Sequence, residues 1–111
     1  MAHLCLLVSV TASVPVIPPD LPGADLVDTG LRDLRADRRT APALLLLGAR
    51  ARLAENGILM PVASVPDPER ALYDLLDAED PAGAPARYNA LRQRLVSFCC
   101  ALEQHARRRD R

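Results

Sequence analysis

Lysine and tryptophan are both missing from this 111-residue chain, and its aromatic residues are limited to Tyr73, Tyr88 and Phe98. Each absence removes a chemistry. Without lysine there is no Schiff-base nucleophile and no phosphate-binding P-loop lysine, and no glycine-rich phosphate loop accompanies the gap. With so few rings, stacking on nucleic-acid bases has little to work with. Cys5, Cys99 and Cys100 follow no metal-ligand spacing and build no disulfide framework. Neighbouring Cys99 and Cys100 point in different directions on a helix and cannot bridge, so reduced thiols in a cytoplasmic protein are expected. No apolar run approaches the roughly 20 residues of a membrane span, so no membrane partner is expected.

What remains is half hydrophobic and a quarter charged, a globular balance. The apolar half is mostly Leu, Ala and Val, which favours closely packed helices over a sandwich. The all-arginine basic set reflects GC-rich coding, a statement about codons rather than function. The formal net charge is zero but unevenly laid out. Arg87, Arg92, Arg94, Arg107, Arg108, Arg109 and Arg111 crowd the end, and Asp67, Glu69, Asp74, Asp77, Glu79 and Asp80 precede them. Two oppositely charged helices joined by a short loop are antiparallel neighbours, so internal neutralisation is favoured over a nucleic-acid face.

Pro85 to Arg109 is the segment around which the chain is organised. Tyr88, Leu91, Leu95, Phe98, Leu102 and His105 recur at steps of three and four, the seam of a long packed helix. Upstream, Asp25 caps a helix reaching about Asp37, with Gly30 as a cost of about 1 kcal/mol within it. Thr40 and Pro42 open a second helix, whose Leu44–Leu47 run covers more than half its circumference and requires contact from several sides. Asn56-Gly57 stops it, with Ile58 as the apolar contact beyond. Asp67-Pro68-Glu69 opens a third, ended by Asp80-Pro81.

At the other end, Leu4 to Val16 alternates apolar and mixed positions, the period of a β-strand. Ile58 to Val65 is the other strand-like stretch, interrupted by Pro61. A secretory leader is the rival reading of residues 4–16, with Val10 and Ala12 as a cleavage site, but no Arg or Lys precedes the apolar run, which is only about seven residues long. The expected fold class is all-α: three shorter helices packed on one long C-terminal helix, with an extended, β-patterned N-terminal arm. Residues 1–22 form the arm and a Pro-rich linker, and residues 23–111 the helical domain.

No cofactor and no metal site are expected. His105 has no converging ligands, and Ser9, Ser13, Ser64 and Ser97 stand in no nucleophile context. Val96 and Cys100 are apolar residues on an otherwise polar stripe of the long helix. With Val8 and Val10 of the arm, they are candidate self-association positions. The leading expectation is a small, bacterial, cytoplasmic, non-catalytic interaction or regulatory protein working as a homodimer or with a protein partner. A nucleic-acid-binding regulator using Arg87, Arg92, Arg94, Arg107, Arg108 and Arg109 is the alternative, and an enzyme with a site invisible in sequence the third.

Overall fold

The computed structural model describes residues 17–61 and 63–109, so the arm, including Val8 and Val10, lies outside the described residues. The described chain is all-helical. Five helices follow in order: α1 (Ala24–Arg35), α2 (Ala41–Gly48), α3 (Arg50–Glu55), α4 (Pro68–Glu79) and α5 (Ala84–Arg109). None is long and apolar enough to cross a membrane.

Local chemistry sets most of the boundaries. The Thr40 hydroxyl accepts from the Ala43 N–H at 3.4 Å and donates to Asp33 at 2.6 Å, tying the start of α2 to the end of α1. At Asn56-Gly57-Ile58 the Ile58 N–H reaches the Leu53 carbonyl at 2.9 Å, and Gly57 (φ 85°) donates to Ala54. Ile58 is buried beyond it, so the expected glycine stop is complete. The Asp67 carboxylate accepts from Arg70 N–H to open α4. At α1 the cap differs from expectation. The helix begins two residues earlier, after Gly23 (φ 79°), and Asp25 sits inside the first turn. Gly23 is required there twice over, since a Cβ would also stand 2.8 Å from the Arg94 carbonyl oxygen of α5.

The helix expected from Thr40 to Asn56 is in fact two. At Ala49 the backbone leaves the helical region (φ −110°, ψ 19°), and its N–H tightens onto Leu46. The weak helix former Gly48 precedes the break. The change of direction returns Leu53 to full burial and turns Arg52 toward α5. Ile58–Val65 is not a strand over its described residues but an irregular connection, with Ile58 buried and Leu59 66% exposed.

The packing centre is α2 rather than the long helix. Ala43, Leu44, Leu45, Leu46 and Leu47 are all buried in succession, because α1 lies against one side and α4 against another. The Gly30 anomaly resolves here. At the α1–α2 crossing an added Cβ would lie 2.6 Å from Leu46 Cδ1 and 2.9 Å from the Pro42 carbonyl oxygen, so only glycine permits this approach. Helix α5 packs on α4 and, more lightly, on α1. It is unbroken over 26 residues, about 39 Å at 1.5 Å per residue. Its seam is oriented as the periodicity predicts: Leu95 and Phe98 are buried, and Tyr88, Leu91, Leu102 and His105 are partly covered.

Candidate functional site

Helices α2 and α3 stand back from α5, and the space between them is a cleft of about 250 Å³. Its floor is Leu44, Leu45, Leu72 and Leu95, with Cys99 at the base and Arg52, Glu69, Tyr88 and Arg92 around the mouth. The polar groups at the mouth are largely satisfied by one another. Arg52 Nε and Nη2 each donate to Glu103 at 3.2 Å, a two-pronged pairing across the cleft. The Asn56 amide donates to the same carboxylate at 3.1 Å and to the Arg52 carbonyl at 2.9 Å. These hydrogen bonds, from Arg52 first and then Asn56, hold the Glu103 carboxyl below the usual carboxylate range. The bonds to Glu103 and to the Cys100 sulfur, 3.5 Å away, bind the Arg52 proton more firmly. At the other end the Tyr88 hydroxyl donates to Glu69 at 3.4 Å. Its ring meets Tyr73 edge to face with centroids 5.6 Å apart.

The two adjacent cysteines diverge as helix geometry requires. Cys99 is buried and burial pushes its thiol up, whereas Cys100 is exposed; neither is bridged. Among the described residues no group of His, Cys, Asp and Glu converges as a metal site.

The α5 arginines fall into three situations. Arg87 pairs with Glu79 of α4 at 3.7 Å and Arg94 with Asp25 of α1 at 3.1 Å. Arg92 lies over the Tyr88 ring, 5.6 Å from its centroid. Arg107 and Arg108 are exposed in the last turn and have no ion pair among the described residues, while Arg109 closes the helix. Of the acid-rich α4 segment, Glu79 alone reaches an α5 arginine among the described residues.

Opposite the seam, α5 presents a face without charge. At about 100° per residue, Arg92 and Glu103 mark one edge and Arg87 and Arg94 the other. Between them stand Ala86, Asn89, Ala90, Gln93, Val96, Ser97, Cys100 and Gln104, all exposed. Val96, at 47%, is one of the two exposed large hydrophobic residues among those described. The sequence marks Val96 and Cys100 as the apolar pair on this stripe. It gives no sign of the Arg52–Glu103–Asn56 cluster, in which Arg52 and Asn56 lie 51 and 47 positions from Glu103.

Comparison with protein-family models, with curated proteins and with solved structures finds no significant match.

Proposed function

We propose that this chain is a small, non-catalytic, cytoplasmic interaction or regulatory protein that acts through protein–protein contacts and associates with itself through α5. The observation that carries the reading is the charge-free outer face from Ala86 to Gln104 with Val96 exposed near its centre. Depletion of charge distinguishes the buried centre of an interface from ordinary surface. Asn89, Gln93, Ser97 and Gln104 each donate and accept, so such a face complements a copy of itself. The cleft supports the same reading: Arg52, Asn56 and Glu103 are bonded to one another, which suits holding α3 against α5.

Sedimentation or light scattering from about 1 µM to about 1 mM spans the affinity range of weak dimers. A rise in mass toward the dimer is expected, and Val96→Arg should return the protein to monomer. A mass that stays monomeric throughout that range removes self-association.

A further inference from the structure

We propose that the second copy lies antiparallel across α5, with the two-fold axis near Ser97 and each Arg108 beside the partner's Glu79 and Asp80. This rests on the self-association read above and adds its geometry and its determinants.

Charge selects the direction. In a parallel pair the two edges are exchanged, so Arg92 would lie beside the partner's Arg94 and Arg107 beside the partner's Arg108, a repeated like-charge contact. Reversing one helix removes this. With the axis at Ser97, position 108 of one copy falls level with position 86 of the other, at the α4–α5 turn. There the partner's Glu79 and Asp80 are answered within its own chain by Arg87, 3.7 Å from Glu79. Two acids against one arginine leave one negative charge for Arg108, which has no acid of its own among the described residues.

The edges agree as well. A two-fold axis across two antiparallel helices keeps each lateral edge on its own side. Arg108 projects toward the Arg87–Arg94 edge, where Glu79 sits, and Arg92 and Glu103 share the opposite edge. Around Ser97, Arg92 comes within one residue of the partner's Glu103. Both edges therefore match with a single placement. At the centre, Ala90, Ser97, Cys100 and Ala101 are small enough for close helix approach, and Val96 supplies the apolar contact.

Ala86 to Gln104 spans about 27 Å, and a helix is about 10 Å across. With the flanking Arg108 contacts, the buried surface is of the order of 1,000 Å² in total, at the low end for a specific dimer. The association is therefore weak and reversible.

The test uses the full chain with Cys5→Ala and Cys100→Ala, single cysteines placed on the face, and copper-phenanthroline as oxidant. Ser97→Cys should give a covalent dimer. Ala90→Cys and Gln104→Cys, each seven residues from the axis, should link when the two variants are mixed and not when either is alone. Wild-type Cys100 lies about 9 Å along the axis from its copy, beyond disulfide reach, and should not link. Arg108→Glu should weaken dimerisation roughly tenfold, and adding Glu79→Arg should restore it. A monomer at the highest concentration fails self-association and this geometry together. A dimer in which Gln104→Cys links to itself, Ser97→Cys does not link, or the charge exchange fails to restore affinity overturns the antiparallel placement alone.

Discussion

Replacing Gly30 by alanine separates two physical arguments that point in opposite directions. Helix propensity alone gives alanine an advantage of about 1 kcal/mol inside α1. Packing opposes it. The added methyl would meet Leu46 Cδ1 at 2.6 Å, Leu46 Cγ at 2.8 Å and the Pro42 carbonyl oxygen at 2.9 Å. Carbon atoms rest near 3.5–4.0 Å. Leu46 is fully buried, so its tip can turn aside only into a core that is already packed. The Pro42 oxygen is backbone in the first turn of α2, so relieving that contact moves the helix. Overpacking of this kind costs about 1–3 kcal/mol, and the backbone contact places Gly30→Ala near the upper figure. After the propensity gain is subtracted, the variant should be less stable by about 2 kcal/mol. For a domain of this size that lowers the thermal midpoint by about 8–16 °C. Urea or thermal denaturation followed by circular dichroism, at one low protein concentration, measures this without contribution from association. Gly48→Ala is the control: the nearest atoms its methyl would meet belong to the exposed Glu69 side chain, the closest at 3.0 Å, and that side chain can swing into solvent. Gly48→Ala should be neutral or mildly stabilising. A Gly30→Ala protein as stable as the parent would refute the close crossing of α1 and α2.

Three further perturbations test other parts of the structure. Asp37 ends α1 in the left-handed region (φ 58°) and donates to Leu34 as a glycine would, so Asp37→Gly should stabilise by about 0.5 kcal/mol in the same assay. Because the Glu103 carboxyl is held below its ordinary range, the stability it contributes is present above that range. It is lost as pH falls through the lowered folded value. Glu103→Gln should therefore flatten the acid side of the stability profile and leave its neutral portion without slope, and an unchanged acid side would count against the Arg52 bridge. In a Cys5→Ala protein, iodoacetamide at neutral pH should modify Cys100 and spare Cys99, as peptide mapping would show; equal labelling would mean that Cys99 is not buried.

What the sequence made legible is what short-range chemistry controls. Thr40 with Pro42, Asn56-Gly57 with Ile58, and Asp67 with Pro68 each complete their work within a few residues, and the structure places helix ends at all three. The α5 seam was equally readable because one face of a regular helix repeats. The break at Ala49 was not. Leu44–Leu47 has no preferred face, so the pattern carries no phase from which a change of direction could be noticed. Nor was the transfer of the packing centre from α5 to α2, since periodicity records how much of a helix is apolar and not how many neighbours it acquires. Gly30 registered only as a local cost, because its reason lies in Leu46 and Pro42 across the crossing. The Asp25–Arg94 and Arg52–Glu103 pairs join positions 69 and 51 apart, and no local spacing rule reaches that far.

The leucine run of α2, sheathed by α1 on one flank and α4 on another, has a bearing on how the protein is made. Leu47 leaves the ribosome 32 residues ahead of the last residue of α4, an interval of about 2–6 s at ordinary rates of synthesis. For those seconds the nascent chain carries a greasy rod with one wall missing. Nor can the chain be divided at the Gly57–Pro66 connection to give two usable fragments: the first would aggregate through its uncovered leucines, and the second would have nothing to fold upon.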